Sequence, residues 1–420
     1  MTTERSTSEP SADETILDVH HTTCCIVGGG PAGVMLALLL ARQSVPVTLL
    51  EAHKDFDREF RGDTIHPSTL EILDQIGLAE GLHQLRHSKV HSATIKAADG
   101  PFTPVDLRRL KTRFPYVMVI PQPSFLEFLI AEAKKYPNFR LVMGANVQRL
   151  AEENGVVRGI RYRGENGWHE VQAALTVGAD GRFSRIRHLV GFEPIKTSPP
   201  MDVLWFRLPR LPEDPKEFGG LSGRPGRGRI LVVFDRFDHW QAGYVFPKGH
   251  YQELRSAGLE FMRRSIVELE PRFGKHVEQL NDWHQFSLLS VESSRCRQWY
   301  KPGLLLIGDA AHVMSPVGGV GINYAIQDAV VAANVLTSPL KAGKVQISDL
   351  AEVQQQREWP TKVIQAIQSF IQKRLIANVL GSQETITIPR SVRLLFRIPF
   401  LRDLPARLLA FGTRRVRLEI

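Results

Sequence analysis

Thr22-Thr23-Cys24-Cys25-Ile26-Val27-Gly28-Gly29-Gly30-Pro31-Ala32-Gly33-Val34-Met35-Leu36-Ala37-Leu38-Leu39-Leu40-Ala41-Arg42 is the stretch on which the fold turns. Residues 22–28 read as a short buried strand, residues 31–43 as an apolar helix rich in Ala and Leu, and residues 46–51 as a second strand. A strand, a helix and a strand of these lengths make a βαβ unit. Its first loop, Gly28 to Gly33, spells G-x-G-x-x-G directly after a strand and at a helix start. Gly28 lets the chain turn tightly, Gly30 keeps side-chain bulk away from a pyrophosphate, and Gly33 lets helix and strand approach closely. Pro31 and Ala32 open the helix, whose free N–H groups and positive dipole end suit phosphate.

Glu51 ends the second strand, 23 positions after Gly28, where a carboxylate can accept hydrogen bonds from a ribose diol. This favours a dinucleotide with a free adenosine 2′-hydroxyl. Two further glycine–aspartate elements follow. Gly178-Ala179-Asp180-Gly181 succeeds an apolar strand at 173–177 and precedes a basic helical stretch with Arg182, Arg185 and Arg187. Leu304-Leu305-Leu306-Ile307-Gly308-Asp309 places a second carboxylate at the C-terminal edge of a strand, where ligands bind in open α/β sheets. After it, the glycine-rich run 316–323 opens a helix at 324–336, and such a helix start can face an electron-rich ring.

Residues 201–208, 229–234 and 241–246 alternate like antiparallel strands and form a separate wall, with 213–228, rich in Gly, Pro and charge, as a loop between them. The fold class is therefore α/β, with a Rossmann-like domain, an inserted antiparallel β-sheet substrate domain and a helical C-terminus. The expected division is a disordered tail at 1–20; a dinucleotide-binding domain at 21–95, 116–195 and 290–340; a substrate domain at 96–115 and 196–289; and a helical region at 341–420.

Composition sets bounds on function. Hydrophobic residues at 43% and charged residues at 23% are ordinary for a globular protein, and no apolar run reaches membrane-spanning length. The N-terminal segment lacks the order of an export signal, which points to the cytoplasm. Three cysteines form no disulfide framework, and no Cys/His spacing suggests a metal site. Net charge is +9, of which residues from Lys373 onward carry +7, ten Lys and Arg against three acids. The body is nearly neutral, without the basic face interleaved with aromatics that nucleic-acid binding needs.

These elements, in this order, resemble the group A flavoprotein monooxygenases, the para-hydroxybenzoate-hydroxylase-like family, over roughly residues 22–336. The resemblance implies a glutathione-reductase-type FAD domain. Gly28, Gly30, Pro31, Ala32, Gly33 and Glu51 then hold the adenosine and pyrophosphate. Arg61 resembles the family arginine that reaches the pyrophosphate, and Gln122 a polar FAD contact. Asp180 helps hold the nucleotide half, directly or through its neighbours, and Asp309 meets a flavin-chain or ribose hydroxyl. Gly321, Ile322 and Asn323 match the loop whose backbone meets the isoalloxazine pyrimidine edge. The family reaction has NADH or NADPH, bound transiently, reduce FAD; O2 then gives a flavin C4a-hydroperoxide that hydroxylates an electron-rich substrate.

No catalytic acid or base stands out. His312 could shuttle protons or serve as a hydrogen-bonding residue of the fold. Trp240, Tyr244 and Phe246, with His239 and Lys248 nearby, are the candidate substrate contacts on the wall. An apolar pocket fits a phenolic, polyketide-like or prenylated substrate. Competing readings are a flavin-dependent halogenase, whose W-x-W-x-I pattern is missing; a geranylgeranyl-type reductase, whose aromatic signature 240–248 partly resembles; and a Rab-escort-like lipid binder of the same fold. The arginine-rich apolar run 391–420 is either a helix pair covering the body or a peripheral contact with an anionic membrane.

Overall fold

In a computed structural model of the chain, residues 15–56, 63–215, 220–236, 238–382, 384 and 386–420 are described. Strand β1 spans Ile16–Val27, starting inside the stretch expected to be a tail. It pairs in parallel with Gly167–Gly178, from Ile16 opposite Trp168 to Val27 opposite Gly178. A main-chain ladder thus recruits residues 16–22, whose apolar members Leu17 and Val19 stay exposed, so pairing rather than burial of these side chains holds the segment.

Helix α1, Pro31–Arg42, is buried continuously from Ala32 to Ala41, because it lies between the sheet and the helices Gln122–Ala133 and Gly321–Lys341. Strand β2, Val47–Glu51, completes the βαβ unit on β1. The parallel core runs Leu304–Leu306, Gly167–Gly178, β1, β2, Phe139–Met143. An antiparallel meander, Asn146–Glu153 and Val156–Gly164, attaches to Gly167–Gly178.

The wall is a seven-stranded sheet. Met201–Pro209, His239–Pro247 and Arg229–Asp235 lie at its centre. Its far edge is the hairpin Ser92–Ala97 and Gly100–Asp106, so this sheet begins at Ser92. Part of the expected 213–228 loop is instead a strand, Gly220–Gly226, sandwiched between Arg229–Asp235 and Ser92–Ala97. Backbone pairing on both sides holds it despite its glycines, a force that composition does not register.

The C-terminal region is helical: Ile347–Phe370, a π-turn at Ile371–Ile376, Ala377–Leu380, Arg390–Leu395 and Pro399–Phe411. The last helix packs on strand Gly100–Asp106 and helix Pro67–Gln75, burying Ala406 and Ala410. Among the described residues, no helix is long and apolar enough to cross a membrane.

Candidate active site

The glycine loop has the shape its spacing calls for. Gly28 has φ +110°, and a Cβ there would lie 2.4 Å from the Ala179 carbonyl oxygen. A Cβ on Gly33 would come within 2.0 Å of the Gly28 oxygen, so helix and strand meet only without it. Gly30 differs: a Cβ would meet nothing within 4 Å. That open space, at the N-terminus of α1 where Pro31 takes the first turn, is a cradle for a phosphate group. FAD fits these residues.

Glu51 is 3% exposed and engaged within the protein. Its Oε2 accepts the Gly29 N–H at 2.7 Å, and its Oε1 accepts the His53 N–H at 3.0 Å and lies 2.7 Å from His53 Nδ1. A sugar diol must therefore share these oxygens or displace His53, whose side chain is 62% exposed. Asp180 is spent on its own turn. Its carboxylate accepts from the Ser184 hydroxyl at 2.5 Å and the Ile186 amide at 2.9 Å, tying the helix Arg185–Leu189 to the Gly178–Gly181 turn. Burial pushes its carboxyl up from the ordinary range, with these hydrogen bonds opposing.

Asp309 sits part-exposed in a tight turn whose backbone is held from two sides. Arg187 donates to the carbonyls of Asp309 and Ala310 at 3.4 and 3.0 Å, and the Gly308 N–H donates to Asp328 at 2.9 Å. Asp328 is fully buried, with His312 Nε2 at 2.6 Å and Arg357 Nε at 2.7 Å. Burial raises its pKa, but His312 and Arg357 outweigh that and hold the carboxyl below its ordinary value. His312 is thus a hydrogen-bonding residue of the fold.

Next comes the loop that the flavin ring would face. Gly318 and Gly319 take φ +82° and +62°, closing a turn just before the helix Gly321–Lys341. The first amides of that helix, at Gly321, Ile322 and Asn323, have no intrahelical acceptor by geometry and are available to a ligand. Side chains pin the loop from three directions. Asn323 Oδ1 accepts from the His66 amide and the Thr69 hydroxyl, both at 2.8 Å, and Thr64 donates to the Gly319 carbonyl at 3.0 Å. Gln368 donates to the carbonyls of Ser315 and Val317 at 3.0 and 2.8 Å, and Gln372 reaches the Ser315 hydroxyl. His66 Nδ1 holds the Leu409 carbonyl at 2.7 Å, fastening the C-terminal helix beside the same loop.

Gln122 opens the helix Gln122–Ala133, and its amide donates to Asp63 Oδ1 at 3.1 Å. The other Asp63 oxygen pairs with Arg236, just past the end of wall strand Arg229–Asp235, so one carboxylate ties that helix to the wall. Burial pulls the Arg236 guanidinium down to about 10. Arg61 lies outside the described residues.

The substrate contacts expected on the wall need correction. Trp240, Tyr244 and Phe246 are at most 1% exposed and pack with Met262, Ile266 and Phe273 on the side away from the cofactor loop. Successive strand residues face opposite sides, so the residues between them face the other way. Met201, Val203 and Val245 cluster there with Val317 of the loop and Leu380 of the C-terminal region, joined by Trp205, Ile230 and Val232. Aromatic size alone carried no information about parity. Asp63, Arg236, Asp328, Arg357 and the glutamines also escaped the sequence reading. One usable signal existed: Asp328 is a charge set in a long run of Ala, Val and Ile in the helix Gly321–Lys341.

Residues 21–365 match the family model described as FAD binding domain. The chain is 33% identical to the 6-methylpretetramide 4-monooxygenase of Streptomyces rimosus, over 96% of this chain and 95% of that protein. It is 30% identical to the 12-dehydrotetracycline 5-monooxygenase/anhydrotetracycline 6-monooxygenase of Streptomyces rimosus subsp. rimosus, over 73% of this chain and 60% of that one. Among solved structures, the OxyS anhydrotetracycline hydroxylase of Streptomyces rimosus superposes with a TM-score of 0.72 at 24% identity, covering 93% of this chain and 76% of the other, a likeness of fold.

Proposed function

This chain belongs to the group A FAD-dependent monooxygenases, and on that premise we propose that its substrate is a polycyclic aromatic polyketide bearing phenolic or enolic hydroxyls. The observation that carries the reading is the apolar inner wall, Met201, Val203 and Val245, clustered with Val317 of the cofactor loop. A flat hydrocarbon ring system would be desolvated there, opposite the reacting centre. The name of the 33% identical relative supports the same substrate class.

FAD, reduced by NAD(P)H, supplies the activation of O2 from which one oxygen atom passes to the substrate. The protein's share is binding, orientation and exclusion of water. The Gly28–Gly33 loop and the start of α1 would receive the pyrophosphate, and the turn at Gly308–Asp309, clamped by Asp328 and Arg187, would fix the middle of the cofactor. First-turn amides of Gly321–Lys341 would meet the pyrimidine edge of the ring. Leu380 and Ile376 pack against the apolar wall and would help keep solvent from a ring bound at the loop.

The test is to follow oxygen uptake and product mass with purified FAD-loaded protein, NADH or NADPH, and a panel of fused-ring polyphenols. A product heavier by one oxygen atom supports the assignment. A product heavier by two hydrogens, as a prenyl reductase would give, overturns it.

The C-terminal face adds a location. One side of the helix Pro399–Phe411 packs on the body, while Leu394, Leu395, Ile398, Phe400 and Leu404 stay exposed at 40–69%. Arg390, Arg397 and Arg407 are exposed along the same run. Apolar side chains among cations match an anionic lipid surface, where an apolar substrate would also collect. Sedimentation with phosphatidylglycerol vesicles, lost in Phe400→Glu/Leu404→Glu, supports this location; equal sedimentation of the variant overturns it.

A further inference from the structure

The inner face of the wall is not apolar throughout. On strand His239–Pro247, residues 240, 242, 244 and 246 face the helix Tyr251–Leu269 side, which leaves His239, Gln241, Gly243 and Val245 on the opposite face, where Val245 clusters with Val317 of the cofactor loop. Gln241 is 2% exposed. Its Nε2 donates to the Phe206 carbonyl at 3.1 Å, which fixes the orientation of the amide. Its Oε1 is buried and accepts no hydrogen bond among the described residues.

Two positions earlier, His239 repeats the situation. Its Nδ1 lies 2.7 Å from Asp238 Oδ1, so the ring N–H donates there. Nε2 of the neutral ring is then an acceptor, and it too is buried without a partner among the described residues. Burial, more than any neighbour, lowers the His239 pKa; Asp238 opposes this, while Arg207 on the adjacent strand and Arg236, just past strand Arg229–Asp235, reinforce it. Arg86 stands behind Asp238 at 3.8 Å, and Asp63 occupies Arg236. Buried acceptors left unpaired are costly and rare in native proteins, and at a binding face they mark places where a ligand brings the donor.

We infer that Gln241 Oε1 and His239 Nε2 are the substrate-reading acceptors of this enzyme, each taking the O–H of a phenol or enol on a fused-ring substrate. The inference rests on the function proposed above and specifies the edge of the substrate that is read. Alternate residues of a strand stand roughly 6.5–7 Å apart, so the two hydroxyls belong on the two outer rings of a three-ring system, along one edge, rather than on adjacent rings. The hydrocarbon body then extends along Val203 and Val245 toward Leu380. Gly243, between the two halves, gives its side-chain space to the Trp205 ring, from which a Cβ would be 2.8 Å.

Binding to the full FAD-loaded chain is measured by perturbation of the flavin absorbance, so the result does not depend on turnover. The probes are an anthracene-type polyphenol with one hydroxyl on each outer ring along one edge, at non-equivalent positions, and its two mono-methyl ethers. Wild type is expected to favour the free phenol over either ether by about tenfold or more. Gln241→Met removes the preference against one ether, and His239→Phe the preference against the other, with FAD content unchanged. Affinity in wild type should also fall at acidic pH, where Nε2 gains a proton, and His239→Phe should abolish that dependence. Equal affinity for phenol and ethers in wild type, or intact discrimination in both FAD-loaded variants, overturns the inference. Tight, discriminating binding without oxygen transfer would instead retire the proposed reaction and leave the two acceptors standing. Should one variant fail to load FAD, the other, with its own ether, decides.

Discussion

Replacing Asp328 with Asn preserves the side chain's shape and removes its charge, which isolates what the carboxylate contributes. Arg357 and His312 are both 1% exposed, and both point at this carboxylate. In D328N the guanidinium is left buried without its counter-charge, and breaking a buried pair from one side costs about 3–5 kcal/mol. The Gly308 N–H also exchanges a charged acceptor for a neutral one, a difference of roughly 1 kcal/mol. Against a total stability of about 5–15 kcal/mol, D328N should lose roughly a quarter or more. Urea unfolding of the FAD-free protein reads this directly and keeps ligand linkage out of the number. Because Asp328 clamps the Gly308–Asp309 turn, FAD affinity should drop by about tenfold or more, a change of about 1.4 kcal/mol. Replacing the pair together, Asp328→Leu with Arg357→Met, should recover part of the stability but not the FAD affinity, since the Gly308 N–H still lacks its acceptor. A D328N protein within about 1 kcal/mol of wild type and with unchanged FAD affinity would refute the clamp.

Further outcomes follow from other contacts. Gly30→Ala meets open space in the FAD-free protein, so unfolding should shift by less than about 0.5 kcal/mol while FAD binding weakens strongly; an unaffected FAD titration would remove the phosphate from this cradle. His66 is fully buried with its pKa lowered to about 4, mainly by desolvation. Its unfolded-state value is higher, so the unfolded chain takes the proton first. Stability should be whole above about pH 6.5 and fall progressively toward about pH 4, loosening the Leu409 contact; His66→Gln should flatten that acid limb in urea titrations at each pH. Tyr244→Phe removes a buried 2.6 Å contact with the Ser265 hydroxyl and should cost about 1 kcal/mol with substrate affinity unchanged. Val245→Phe, on the opposite face, should change substrate affinity, and the reverse pattern would overturn the assigned parity.

Much of the cofactor half was legible because its requirements are local. A turn at Gly28, a close approach at Gly33 and an acid at the end of β2 each follow from bonds and backbone angles within a few residues, and the structure places them as the spacing implies. The three central wall strands were legible for the same reason, since alternation over five or more residues marks a strand wherever it lies.

What the sequence could not determine was which neighbours those strands would have, and so which of their two faces would meet the cofactor. Trp240, Tyr244 and Phe246 have the right character for a substrate wall and the wrong parity, a matter settled only when the helix Tyr251–Leu269 packs against one side. Partnerships such as Asp63 with Arg236, 173 positions apart, or Asp328 with Arg357, join charges that no local rule connects. The same holds for residues 16–20 and Gly220–Gly226, which are strands because a neighbouring backbone offers them hydrogen bonds. Local geometry is written in neighbouring residues, whereas facing, pairing and the buried acceptors at His239 and Gln241 arise from water being excluded by distant parts of the chain, which only the folded arrangement specifies.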